Sequence, residues 1–194
     1  ALEAWRSTGR EPIVDLDGAL VRATASARLL AALRAEAVSW PEPEARAEAD
    51  ALGALQEILA RESADGGFAW FAGGPAHPLL SARTLLALRA LGAVLPVNRA
   101  VIARPAAALQ RAQDRDGLWT LTRDAGGWDS LSARFVPTAY VTWALAAAGV
   151  RDPAFDRAAA WLRKRVRDAG HDPYARAIVL GALLEREPAD AALA

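Results

Sequence analysis

Two short stretches decide how this chain folds: Gln113-Asp-Arg-Asp-Gly117-Leu-Trp119 and Glu62-Ser-Ala-Asp-Gly66-Gly-Phe68. Each has a polar residue, then an Asp-Gly turn, then an aromatic two residues beyond the glycine. The first fits QxxxGxW; the second fits it with Glu for Gln and Phe for Trp. Glycine lets a chain reverse at positive φ without steric cost, and Asp before it is an ordinary local hydrogen-bonding turn residue. The aromatic can then pack back onto the next element, where full burial contributes on the order of 2–3 kcal/mol. Gln113, Gly66, Phe68, Gly117 and Trp119 are therefore expected to be structural turn residues. The other reading of Asp65 and Asp116, a catalytic carboxylate pair, has only their matching positions behind it.

Weaker echoes of the turn stand at Asp17-Gly18-Ala19-Leu20 and Asp168-Ala169-Gly170-His171. The glycines at 18, 66, 117 and 170 are 48, 51 and 53 residues apart, a degenerate repeat of helical hairpins. After each signal comes a mostly apolar helix: Thr24–Ser39, Ser81–Leu91, Val136–Ala148 and Tyr174–Glu185. Before the next comes a more charged one: Glu42–Arg61, Asn98–Gln113 and Pro153–Arg167. In Glu42–Arg61, Leu52, Leu55, Ile58 and Leu59 share one face, while Arg46, Glu48, Glu57 and Arg61 take others. Asn98 and Asp152-Pro153 can start helices. Gly92 and Gly149 can end them, and Pro105 is expected to break or kink its helix. The fold expected is all-α: a partial or small α/α toroid of about four hairpins in inner and outer layers, residues 1–194 forming one domain. A straight solenoid of hairpins gives a similar pattern.

Composition narrows the chemistry. The 23 basic and 23 acidic residues cancel, whereas a nucleic-acid platform carries a basic excess. No apolar run reaches the roughly 20 residues of a membrane span; Val136–Val150 reads as a buried helix. With no cysteine there is no disulfide, thiolate metal site or Cys nucleophile. Neither a metal site nor a cofactor is expected. Methionine is absent too, which leads us to expect a domain excised from a larger multidomain protein, or a processed chain. The first ten residues, ALEAWRSTGR, are too polar for a signal peptide.

The QxxxGxW corners resemble those of α/α-toroid proteins: terpene cyclases, prenyltransferase β-subunits and the thioester-containing domain of α2-macroglobulins. Protonating cyclases carry a DxDD acid, and the nearest string, Asp15-Leu-Asp17-Gly18, lacks its last Asp. Prenyltransferases hold zinc with Asp, Cys and His. The third resemblance is closer. Residues 65–91, DGGFAWFAGGPAHPLLSARTLLALRAL, are similar to the DGGF-W-F-GG segment of bacterial α2-macroglobulins and its following inner helix. Gln113 to Val150, with DGLW, GGW and VPTAYVTWALAAAGV, is similar to the next hairpin.

Active members of that family carry Cys-x-Glu-Gln, commonly followed by Thr-x-Ser, at the start of an inner helix. The Cys thiol and Gln side chain there form a thioester that captures a protease. The similar stretch here is Leu20-Val21-Arg22-Ala23-Thr24-Ala25-Ser26, with Leu20 for Cys, Arg22 for Glu and Ala23 for Gln. The resemblance thus implies a non-catalytic structural or interaction domain of a bacterial α2-macroglobulin-like protein involved in protease trapping or inhibition, without a functional thioester. It also implies a periplasmic or extracellular location, and contacts with neighbouring domains of the parent chain and with a trapped protease. The alternative is a fragment of a terpene-cyclase- or prenyltransferase-like enzyme, which requires a deep aromatic pocket with a buried acid.

Loops between outer and inner helices should emerge on one end of the layer, which gathers Trp70, Phe71, His77 and Trp128 on one rim. Turn packing accounts for these residues; a contact surface for a neighbouring domain or ligand is the sharper reading. His77 and His171 have no evident partners for a catalytic or metal site.

Overall fold

The computed structural model describes residues 16–36, 38–71, 73–121, 132–150, 153–166 and 173–186. Among them lie seven helices: α1 (Leu16–Ala35), α2 (Pro41–Leu59), α3 (Pro78–Gly92), α4 (Arg99–Arg111), α5 (Ser132–Ala147), α6 (Pro153–Arg165) and α7 (Pro173–Arg186). The extended backbone among the described residues is a single antiparallel bridge between Glu62 and Phe68.

The helices form two layers. The apolar helices make a row in which α1 touches α3, α3 touches α5 and α5 touches α7. The more charged α2, α4 and α6 lie outside that row; α2 packs on α1 and α3, α4 on α3, and α6 on α5 and α7. Three apolar cores lie between the layers. The first joins Leu16, Leu30, Ile58, Phe68 and Leu88; the second Leu85, Leu109, Trp119, Val141 and Phe155; the third Phe135, Leu162, Val179 and Leu183. Each successive hairpin therefore shares a core with the next.

The structure differs from the sequence-based expectation at four points. Helix α1 starts at Leu16, so Asp17-Gly18 is its first turn and not a corner before it. The reason is an unbroken buried stripe, Leu16, Ala19/Leu20, Ala23, Ala27 and Leu30, at helical spacing, whose burial outweighs one helical glycine. Helix α2 buries Ala47, Ala51, Ala54 and Ile58, while Leu52 is exposed; these small side chains face the core shared with α1. Helix α4 runs through Pro105, which is buried, and α5 through Pro137. Pro105 is the seventh residue of its helix and Pro137 the sixth of its own, so each forgoes one backbone bond to the preceding turn, which the packing around it offsets. Gly149 does take a positive φ of 75°, with Val150 N–H donating to Leu145 O (3.0 Å) and Gly149 N–H to Ala146 O (2.9 Å), a Schellman ending. Gly92 does not; α3 ends through Val94 and Leu95 N–H donating to Leu91 O.

Gly53 lies inside α2, and a methyl group there would meet nothing within 4 Å. Gly53→Ala is expected to stabilise the chain by about 0.5–1 kcal/mol, because alanine loses less backbone freedom in a helix. Urea unfolding followed by circular dichroism checks it.

Candidate functional site: the glycine–aromatic corners and the rim

The two corners share one backbone design. In the first, Gly66 N–H donates to Ser63 O (2.8 Å) and Ser63 N–H to Gly67 O (2.8 Å). In the second, Gly117 N–H donates to Asp114 O (3.0 Å) and Asp114 N–H to Leu118 O (2.9 Å). Gly66 and Gly117 have φ of 81° and 82°, the left-handed region where a side chain is strained. Both also back onto the next outer helix. A Cβ on Gly66 would lie 3.4 Å from Arg104 Cβ, and one on Gly117 would lie 3.0 Å from Arg157 Cβ.

The aromatics are fully buried, Phe68 at 0% and Trp119 at 1% exposure. Their backbone amides are held by hydroxyls of the following inner helix. Phe68 N–H donates to Ser81 Oγ (2.8 Å), and Trp119 N–H to Thr138 Oγ1 (3.1 Å). The Trp119 indole N–H donates to Leu109 O at 2.7 Å, which fastens it to the preceding outer helix. Gln113 Nε2 donates to Gly117 O at 2.7 Å, within its own corner. Glu62, in the Gln position of the first corner, instead takes a two-pronged ion pair from Arg104 (2.5 and 2.8 Å). Each corner thereby ties an outer helix, the next inner helix and the next outer helix together.

The aspartates have local duties. Asp65 Oδ1 accepts from Gly67 N–H at 3.0 Å. Asp116 is exposed and lies 3.3 Å from Arg134, which also reaches Asp114 at 3.0 Å. Burial alone would raise the Asp114 pKa, but the backbone N–H of Leu118, the Arg134 guanidinium and the N–H of Asp116 together hold it below the usual value. Ser81, Thr138, Arg104 and Arg134 were not singled out as corner partners from sequence. The available signal was a hydroxyl near the start of each otherwise apolar inner helix.

On the rim, Trp70 and Phe71 are 42% and 63% exposed, and Trp70 tilts over the His77 ring with centroids 6.2 Å apart. Gly73, at φ 76°, turns the loop between them and His77. His77 N–H donates to Phe68 O at 2.8 Å, so the loop is tied to the first corner. Trp128 and His171 lie outside the described residues. His77 precedes α3, and its Nδ1 is buried without a hydrogen-bond partner among the described residues. Burial lowers its pKa below 6.5. The unfolded chain then binds the proton more tightly, so this contribution to stability is complete above the unfolded pKa and declines as pH falls below it. The wild type is expected to lose more urea resistance between pH 7.5 and pH 5.5 than His77→Asn does.

The thioester-like positions lie within α1, beyond its first turn. Leu20 and Ala23 are 4% and 0% exposed, and Arg22 makes an ion pair with Glu57 of α2. Thr24 Oγ1 donates to Leu20 O (2.9 Å), and Ser26 is buried. Of the DxDD-like string, Asp17 is ion-paired with Arg83 of α3, and Asp15 lies outside the described residues. On the next two inner helices the Tyr140 and Tyr174 hydroxyls meet at 2.7 Å. Burial, then the Tyr174 hydrogen bond, raises the Tyr140 pKa well above 10. Among the described residues the wholly buried polar side chains are Ser26, Ser81, Thr84, Thr138 and Thr142, while Asp17 and Asp50 each bury a single carboxylate oxygen. No group of three or more His, Cys, Asp or Glu there is placed to hold a metal, and no helix is long and apolar enough to cross a membrane.

A row of apolar inner helices backed by charged outer ones and locked by glycine–aromatic corners defines an all-α chain of the α/α-toroid type. Solved structures with this arrangement include Salmonella alpha-2-macroglobulin reacted with methylamine, with a TM-score of 0.72 and 19% sequence identity. A mutant of Salmonella alpha-2-macroglobulin matches with a TM-score of 0.73 and 19% identity. Each alignment covers 97% of this chain and 12% of the other, so the chain corresponds to a small part of a much longer polypeptide. At that identity the likeness is one of fold. The sequence matches no protein-family model and no curated protein.

Proposed function

We propose that this chain is a non-catalytic structural and interaction domain of a bacterial α2-macroglobulin-like protein, one that takes part in protease trapping or inhibition without a thioester of its own. The observation that carries the reading is the fold likeness to Salmonella alpha-2-macroglobulin over 97% of the chain. The chemistry agrees. An internal thioester requires a cysteine thiol and a glutamine side chain, and the chain has no cysteine. At the similar positions, Leu20 and Ala23 carry hydrocarbon only, and Arg22 is occupied by Glu57.

On this reading the domain works by position. Its corners keep the helical layers rigid, and the rim residues Trp70, Phe71 and His77, with Trp128, meet a neighbouring domain of the parent chain. Exposed aromatics on a rigid support suit such a contact. The parent would be periplasmic or extracellular, where a protease arrives from outside, and any trapping would be by enclosure and not by a covalent bond to this domain. Incubating the full-length parent with a protease, with and without methylamine, tests this. The expected result is no thiol release and no covalent adduct within these residues; a protease or methylamine adduct mapped to them overturns the proposal.

A further inference from the structure

His77 stands where the rim loop ends and α3 begins, and its ring is poorly placed to carry a charge. Nδ1 is buried without a hydrogen-bond partner among the described residues. In neutral imidazole that nitrogen can be a bare acceptor, whereas imidazolium carries a hydrogen on both ring nitrogens. Protonation therefore leaves Nδ1 a buried donor with no acceptor. His77 also caps the start of α3, whose first turn holds no acidic residue, so the added charge meets the positive end of the helix. The Trp70 ring is tilted by 57° with its centroid 6.2 Å away, outside the roughly 6 Å at which a ring face steadies a cation. Charged groups on the surrounding elements are engaged elsewhere. In the first corner Asp65 Oδ1 accepts from Gly67 N–H, and Glu62 pairs with Arg104 of α4. Arg111 of α4 donates to Asp65 O, Arg83 of α3 pairs with Asp17 of α1, and Arg134 of α5 pairs with Asp114. Burial is the one cause that shifts the His77 pKa, and it acts downward from 6.5.

We infer that His77 is an acid-sensitive latch on the rim: while neutral it seats the loop against the first corner and presents Trp70 and Phe71, and once protonated it leaves that seat. The use of the presented surface rests on the rim contact proposed above. The loop is built to move in this way. Besides the His77 N–H bond to Phe68 O, Ser63 Oγ donates to Gly74 O (2.9 Å) and Gly74 N–H to Phe71 O (3.1 Å), all of them bonds at or near the surface. Gly73, at φ 76°, has open space around its Cα and serves as the hinge. The sign follows from the burial: the seat is intact above pH 6.5 and weakens as pH falls below that value. Acid would thus release the aromatic surface from a neighbouring domain while leaving the helical layers, which do not depend on His77, in place.

Amide exchange by NMR on the 194-residue chain tests the latch. Protection of the Gly74 and His77 amides, corrected for the intrinsic pH dependence of exchange, is expected to fall by about fivefold or more between pH 7.5 and pH 5.0. Protection of the Leu88 amide, inside α3, should hold. The fall should follow the titration of the His77 ring, which is assigned by its absence from His77→Asn because the chain has two histidines. His77→Asn stays neutral throughout and should show the same protection at both pH values. Loop protection that survives titration of the ring overturns the latch, as does an equal fall in His77→Asn or a parallel fall at Leu88. Limited proteolysis of the full-length parent carrying Trp70→Ala, at pH 7.5, tests the rim contact separately. A parent no looser than the wild type there refutes the contact, whereas the amide data alone decide the latch.

Discussion

Trp119→Ala is expected to cost about 3–5 kcal/mol of unfolding free energy, the largest effect of any single substitution considered for this chain. The side chain is 1% exposed and sits among Leu85, Leu109, Val141 and Phe155, so truncation leaves a cavity where helices α3 to α6 meet. It also removes the indole donor from Leu109 O, leaving a buried carbonyl short of a partner. For a chain of this length the melting temperature should fall by roughly 6–20 °C. Trp119→Phe keeps most of the volume and loses the donor, so its cost should be smaller, about 1–3 kcal/mol. Chemical denaturation of the three proteins gives the order directly. A Trp119→Ala protein as stable as the wild type would mean that the corner does not hold the helices together.

Gly117→Ala comes next, at about 2–3 kcal/mol. Two terms add: a left-handed residue gains a Cβ, and that Cβ arrives 3.0 Å from Arg157 Cβ, which is fixed to the backbone of α6. Gly66→Ala carries the same backbone penalty, but its Cβ would lie 3.4 Å from Arg104 Cβ, so about 1–2 kcal/mol is expected. The ordering Gly117 above Gly66, with Gly53→Ala of opposite sign, separates corner geometry from glycine replacement in general. Urea midpoints for the three variants decide it.

Much of this architecture was legible in the sequence, for a definite reason. A glycine needed at positive φ and an aromatic needed in the core leave a fixed spacing, and both corners carry it. The alternation of apolar and charged helices was readable because inner helices have neighbours on more sides than outer ones. What was not legible depended on competition between terms. Asp17-Gly18 has the letters of a corner, yet the stripe from Leu16 to Leu30 draws both residues into α1. Pro105 has the letters of a break, yet α4 continues through it. Leu52 looks like core, but the small faces of Ala47, Ala51 and Ala54 allow α2 to bury a different side. Partners across the fold, such as Arg104 with Glu62 and Ser81 with the Phe68 amide, are 42 and 13 residues apart, and no local pattern announces them. The rim residues Trp70, Phe71 and His77 were recognisable as a group because one loop holds them all.

Hydrogen exchange at the two corners tests most directly whether they are the welds of this fold. The amides of Phe68 and Trp119 are buried and bonded to hydroxyls of the next inner helix, so they should exchange only through opening of the whole arc, as slowly as the centres of α3 and α5. Exchange at those two amides as fast as at the exposed Trp70 and Phe71 would contradict it.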